Sequence, residues 1–343
     1  MMLISRTPLR ISFFSGGSDM PTFYNREDGA ALSVTIDKYI YVMAHATKYS
    51  DHVVLMHEKV EKVSDVEAME HDITREALLS YGIDKGITIA SISDVTCRGS
   101  GLGASSAYAV GLINAITALL AKSHTNVSRS PRDLADLACE LEMHRCGYPV
   151  GRQDQYAAAY GGMNLFEFHA GGFTTVNTLD LNDASRGIPP VALANLERNL
   201  LLVHSGRERS ANAILQKHQE AMLEDSKFNL IKRTRDKAFD GMKLLMNADV
   251  DSFGALLDEA WQEKRNIVST ISDPYFDNIY NTARASGSLG GKLLGAGGGG
   301  FFIFYAPHAL HETVRGAILN VAPACTFYDF KFASKGSTIV ASA

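Results

Sequence analysis

Cysteine is scarce, and the four present, Cys97, Cys139, Cys146 and Cys325, form no C-x-x-C pair. Reduced thiols and a cytoplasmic location are expected, rather than a disulfide framework or a thiolate metal site. Surplus positive charge is also missing. The formal net charge of -5 argues against a general nucleic-acid binder. The longest apolar run, residues 107–121, is shorter than a bilayer span and carries Asn114. It is expected to be a core helix, with no membrane partner. The opening Met1-Met2-Leu3-Ile4-Ser5-Arg6 lacks the apolar region of a secretory signal. Low-complexity segments and clear internal repeats are lacking too. What remains is a 343-residue chain, 46% hydrophobic and 21% charged, long enough for two ordinary globular domains.

Glycine is not lacking, and it is clustered. Around residue 100 the chain reads C-R-G-S-G-L-G-A-S-S-A-Y, with Gly99, Gly101 and Gly103 alternating before Ser105 and Ser106. Residues 86–93 upstream alternate like a strand, and the apolar run downstream has helical length. Strand, glycine loop and helix in that order form a phosphate cradle. Glycines let the backbone approach an anion, and a helix N-terminus presents free N–H groups. Ser105 and Ser106 sit where a hydroxyl can reach a magnesium ion or a phosphate oxygen. The plain alternative is a glycine turn with a serine cap. Gly99, Gly101 and Ala104 also fit the dinucleotide fingerprint, but that pattern wants an acid about 20 positions on. Residues 119–126 hold none. A Walker A loop is absent as well, since Gly291-Lys292 precedes Leu293 and position 286 is Ser286.

Strands are expected at residues 9–15, 31–47 (one bent strand or a strand pair) and 53–57, and a helix at 74–81. Ser130-Pro131-Arg132-Asp133 opens a helix that runs to about Cys146 and carries Glu140, Glu142 and His144. Residues 163–168 and 173–178 read as a hairpin. The polar stretch 182–190 marks a boundary, dividing the chain into 1–185 and 186–343. Beyond it come a buried strand at 200–204 and a candidate anion loop carrying Arg207, Arg209 and Ser210. Helices are expected at 210–223, 226–247, 251–268 and 274–286. Strands at 289–294 and 301–305 flank Gly295–Gly300, where close approach to a ligand or to the first glycine loop is expected. A helix at 307–321 and strands at 325–331 and 338–342 close the chain.

Three segments taken together resemble the GHMP kinases: R-T-P-L-R-I-S-F-F-S-G-G-S-D (6–19), G-S-G-L-G-A-S-S-A (99–107) and K-L-L-G-A-G-G-G-G-F (292–301). They span nearly the whole chain. The resemblance implies an α+β, two-domain fold, with an N-terminal domain like ribosomal protein S5 domain 2 and a ferredoxin-like C-terminal domain. ATP and Mg2+ are the implied cofactors, the nucleotide phosphates lying on Arg98, Gly99, Ser100, Gly101, Leu102, Gly103, Ala104, Ser105 and Ser106. G-R-Q-D-Q is similar to the galactokinase segment carrying the catalytic carboxylate, here Asp154. Arg10 resembles a basic position beside it, and Glu142 the acid that ligates magnesium with a loop hydroxyl, Ser105 by alignment. Asp19, with Gly16, Gly17 and Ser18, resembles the segment that holds sugar hydroxyls, and Gly297 and Gly298 are expected as further substrate contacts. The chemistry agrees, since phosphoryl transfer needs phosphate charge neutralised and an acceptor hydroxyl positioned beside a base. The plain readings are a solvated helix face for Glu142, an N-cap for Asp154 and a surface ion pair for Arg10.

Galactokinases carry Glu-His where this chain has Gly16-Gly17, which opens the acceptor end. The first motif, T-I-D-K-Y-I-Y (35–41) and K-G-S (335–337) are similar to those of bacterial D-glycero-D-manno-heptose 7-phosphate kinases. The implied reaction is phosphorylation of that sugar phosphate at O1 on the way to GDP-heptose and cell-surface glycans. A phosphorylated acceptor needs a second anion site, for which Arg207 and Arg209 are the candidates. A fucose- or galactose-type kinase, an isoprenoid kinase, and a sugar or ATP sensor without catalysis are the alternatives. A small-molecule sugar phosphate is the expected partner, and a homodimer is allowed for.

Overall fold

The computed structural model describes residues 2–47, 50–95, 99–121, 129–179, 188–208 and 211–342. The first unit opens on β1 (Met2–Phe14), the short α1 (Pro21–Tyr24) and the long β2 (Gly29–Ala46). β3 (Val53–Met56), β4 (Val60–Val63), α2 (Asp72–Ser80) and β5 (Ile87–Ser93) follow. Next come α3 (Ala104–Ala121), α4 (Pro131–Cys139), α5 (Gln153–Tyr160), β6 (Met163–Phe168) and β7 (Thr174–Leu179). With β12 (Thr338–Ser342) from the far end of the sequence, the strands form an eight-stranded sheet in the order β12-β1-β2-β5-β3-β4, with β6 also paired to β2 and β7 to β6. β1 is longer than expected from residues 9–15, because Pro8 stands inside it. The β1–β2 register slips there, where a proline has no N–H to give the ladder. β2 is one strand rather than a pair.

α3 lies across β1 and β2. It is 18 residues long and apolar enough to cross a bilayer, but most of it is buried inside the protein. Its close seat depends on Gly111, where a Cβ would stand 2.8 Å from Thr7 Oγ1. Ser5 Oγ donates to the Gly111 carbonyl at 2.7 Å. α4 starts on the expected N-cap Ser130, with Pro131 in its first turn, and the structure adds a reciprocal bond between Ser130 and Asp133 that completes a capping box. It then widens into a π-helical turn, Glu140–Arg145.

The second unit holds α6 (Pro190–Asn199), β8 (Leu200–His204), α7 (Ala211–Ala221), α8 (Asp225–Met246), α9 (Val250–Arg265), α10 (Pro274–Ala285), β9 (Gly290–Leu293), β10 (Phe301–Tyr305), α11 (His311–Val321) and β11 (Thr326–Tyr328). Its four-stranded antiparallel sheet runs β11-β8-β10-β9. Trp261, Phe276, Tyr280, Phe302 and Phe304 form an aromatic core beneath it. α6 was not expected: Pro189-Pro190 reads as a breaker, yet Pro190 is the first helical residue, where a missing N–H costs nothing. The last strand, β12 (Thr338–Ser342), leaves this unit and pairs antiparallel with β1. Residues 338–342 therefore sit in the first sheet, which corrects the division of the chain at 185/186. The first unit is built from both ends of the sequence.

Candidate active site

A cleft of about 200 Å³ lies where the two units meet. β1 supplies Arg10 to its floor. The Arg10 backbone N–H donates to the Leu102 carbonyl at 3.0 Å, which joins strand and glycine loop. The guanidinium grips Asp154 with two bonds, Nε to Oδ1 at 2.8 Å and Nη2 to Oδ2 at 2.7 Å, and Nη1 donates to the Gly101 carbonyl at 2.6 Å. Its side chain is 5% exposed and that of Asp154 30%, so the carboxylate keeps one face toward the cleft. Asp154 is not an N-cap. Arg152 occupies that position on α5, and Asp154 turns to Arg10 from the first helical turn. A paired, planar geometry of this kind fixes the carboxylate's orientation.

Glu142 is fully buried on the π turn. Such a turn changes the direction in which its side chains point, and it recurs at functional sites. Ser105 Oγ donates to Glu142 Oε1 at 2.6 Å and Gln155 Nε2 to Oε2 at 2.7 Å. Burial pushes the carboxyl pKa up, and the hydrogen bonds from Ser105, Ser106 and Gln155 oppose that. A buried carboxyl met by neutral donors, with a hydroxyl beside it at the head of α3, fits a hard divalent cation.

Asp19 stands on the other side of Asp154. The Gln153 N–H donates to its Oδ2 at 3.3 Å. Gly151 leaves the carboxyl its space, since a Cβ there would fall 2.1 Å from Oδ2. Burial first, and the nearby Asp154 charge second, raise the Asp19 pKa to about 6. Gly99, Ser100, Gly101, Gly103, Ala104, Ser105 and Ser106 line the cleft beside these acids, as Gly16 and Gly17 do. The third glycine segment grips the first loop. A Cβ at Gly300 would lie 2.4 Å from the Ser100 carbonyl oxygen, and the Phe301 N–H donates to that carbonyl at 3.0 Å. Of the two expected reasons for its glycines, contact with the loop at residues 99–101 is seen directly, and Gly295 and Ala296 of the same segment line the cleft.

A carboxylate fixed by arginine, a buried acid–hydroxyl pair and a glycine loop, brought to one cleft, are the kinds of groups that phosphoryl transfer calls for. The sequence matches the GHMP kinases N terminal domain over residues 66–162 and the GHMP kinases C terminal domain over 242–320. The chain belongs to the GHMP kinases. It is a phosphotransferase with an alcohol group as acceptor. This GHMP kinase is 27% identical over 321 residues to a D-glycero-alpha-D-manno-heptose 7-phosphate kinase of Campylobacter jejuni, covering 88% of each chain. It is 30% identical to a bifunctional fucokinase/GDP-fucose pyrophosphorylase of Arabidopsis thaliana, over 69% of this chain and 22% of that protein. Its fold matches a D-glycero-D-manno-heptose 1-phosphate kinase of Bacteroides thetaiotaomicron with a TM-score of 0.79, at 22% identity and 100% coverage of both chains. Lactococcus lactis galactokinase complexed with galactose follows at a TM-score of 0.73 and 18% identity, covering 99% of this chain and 95% of that one. The α+β two-unit fold is that of GHMP kinase structures.

Several expected contacts of this GHMP kinase lie elsewhere. Leu102 is buried in the core and offers the cleft no side chain. Ser18 is a turn residue, its Oγ donating to the Ala30 carbonyl at 2.8 Å. Gly297 and Gly298 do not line the cleft; they pack on Ile271, and Gly295 and Ala296 take their place. Arg207 also turns away from the cleft. It lies over the Tyr275 ring at 3.8 Å and pairs with Asp273 at 3.2 Å, so an aromatic face and an acid already occupy its guanidinium. Arg98 and Arg209 lie outside the described residues. Sequence reasoning missed Tyr148 and Gln153 along the first unit's wall, and Asn212, His218, Lys264 and Lys292 from the second unit. Of these, a lysine inside an otherwise apolar strand was the one readable signal.

Proposed function

We propose that this GHMP kinase is an ATP-dependent sugar 1-kinase whose acceptor is D-glycero-D-manno-heptose 7-phosphate and whose product is the 1,7-bisphosphate. The observation that carries a sugar-kinase reading is the Arg10–Asp154 pair, held between the glycine loop and Asp19. The backbone of residues 99–103 and the head of α3 bind the nucleotide phosphates. Asp19 accepts hydrogen bonds from sugar hydroxyls. Asp154 orients the acceptor hydroxyl and takes its proton as the oxygen bonds to the γ-phosphorus. The bond from that phosphorus to the β–γ bridging oxygen breaks, and ADP leaves. Arg10 holds the Asp154 carboxylate in line. Glu142 and Ser105 are the residues that would hold magnesium, which neutralises phosphate charge when bound.

The Campylobacter relative supports the heptose phosphate as acceptor. The absence of side chains at Gly16 and Gly17 does not add to this, because a Cβ at either would meet Thr234 or Met222 at 2.9 Å. An unphosphorylated, fucose-type sugar is the second reading, favoured by the position of Arg207 outside the cleft. The test is ADP release with MgATP against heptose 7-phosphate, heptose, L-fucose, galactose and mevalonate, with Asp154→Asn in parallel. Turnover only on the 7-phosphate, falling in the variant by on the order of 1,000-fold, is the expected result. Turnover on L-fucose alone supports the second reading, and no turnover on any acceptor overturns both.

A further inference from the structure

Lys292 is 3% exposed, on β9 of the second unit, and lines the cleft beside Arg10, Gly101 and Gly103 of the first. Its Nζ donates to the Phe13 carbonyl at 2.7 Å, and no other hydrogen bond of this ammonium exists among the described residues. No carboxylate among those residues forms an ion pair with it. The charged groups around the same cleft are spoken for. Arg10 on β1 is committed to Asp154 on α5. Lys264 on α9 donates to the Leu293 and Gly295 carbonyls, which anchors the third glycine segment. Glu142 is held by Ser105 and Gln155, Asp19 lies beside Gln153, and His218 on α7 stands over Gly17. A buried cation beside a second cation is costly for the empty protein. Costs of this kind concentrate where a ligand of opposite charge is to be bound.

We infer that Lys292 is a phosphate-binding residue that brings a cation from the second unit onto the transferred γ-phosphoryl group, beside Arg10. The position fits that phosphate rather than the α- and β-phosphates. Arg10 reaches the glycine loop through Gly101 and the base through Asp154, and Lys292 approaches the same point from across the cleft. Burial, with Arg10 adding to it, brings the Lys292 pKa down to about 7. An arriving anion raises it again, so binding of a triphosphate draws a proton from solvent. The inference rests on the cleft being a kinase site and does not depend on which sugar is the acceptor.

The alternative role is a strut between β9 and β1, and Lys292→Gln separates the two, because glutamine keeps a donor for the Phe13 carbonyl without the charge. The full-length protein is titrated by calorimetry near pH 7.5 with the magnesium complex of a non-hydrolysable ATP analogue, in two buffers of different ionisation enthalpy. The expected result is proton uptake with the analogue and much less with MgADP. Lys292→Gln should lose the uptake, and its single-turnover transfer rate should fall by on the order of 100-fold. A variant that retains the uptake and transfers within threefold of wild type overturns the proposal. Uptake on binding mannose 6-phosphate alone, and none with the nucleotide, assigns Lys292 to an acceptor phosphate and also overturns it. Should the variant fail to fold, equal uptake with analogue and MgADP in the wild type is the overturning result. If the wild type binds no nucleotide, the kinase site itself falls, which is a different outcome from all of these.

Discussion

Asp19 carries a conflict between burial and charge that sets how this protein responds to pH. Its folded pKa is raised to about 6, while the unfolded chain has the ordinary aspartate value near 3.8. Between these values the native state holds a proton that the unfolded state has released. Stability therefore falls as pH rises through that window, the sign opposite to that of a salt-bridged carboxylate. Asp19→Asn should flatten this part of the profile and leave the protein more stable than wild type above pH 6, read by thermal melts from pH 4 to 7. On the proposed role of Asp19 in holding sugar hydroxyls, the same variant should raise the KM for the sugar more than it lowers kcat. At this scale much of the site was legible. Asp154, Glu142 and Ser105 stand in short segments whose residue types have few other uses together. Lys292 was not legible as a site residue. A lysine in an apolar strand signals burial, but what surrounds it depends on Phe13 and Arg10, far away in sequence.

The strands and helices were legible where alternation or caps were strong, as in β5, β10 and α4. The π turn after α4 was not, because its extra width is fixed by the packing around Glu142 rather than by local propensity. β4 was missed because its alternation, V-E-K-V, is carried by few residues and its burial is slight. Among the loops, the glycines of residues 295–300 are explained by what they touch. Gly300 has φ +87°, and any Cβ there collides with the Ser100 backbone. Gly300→Ala should cost stability by about 1–3 kcal/mol, since the strain falls on two loops that cannot both yield. It should also weaken MgATP binding, because Ser100 and Gly101 are displaced together. Denaturant melts and nucleotide titration check the two effects. A melt shift with unchanged nucleotide affinity would show that the third segment does not set the geometry of the second.

At the scale of the molecule, the two units share one site and one sheet spans the chain's extremes. Thr7 and Asn114 both bond to Ser337, at 2.8 and 3.0 Å, just ahead of β12. Removing residues 336–343 strips these bonds and the β1 ladder partner together. The expected loss is about 2–4 kcal/mol, with β1 left as an open edge that promotes association. Melts and light scattering on the truncated protein check this, and a truncated protein that melts like the full chain would assign β12 no structural weight. The expected two-unit fold was legible, but not this return. Thr-Ile-Val-Ala-Ser reads as a strand, and nothing local says which sheet takes it. The return also bears on synthesis. A ribosome delivers β1 well before β12, so at roughly 10 residues per second β1 waits about half a minute for its neighbour. The second unit has all its strands before then. We expect the unit begun first to be completed after the other, with its outer edge unguarded until β12 has emerged from the ribosome.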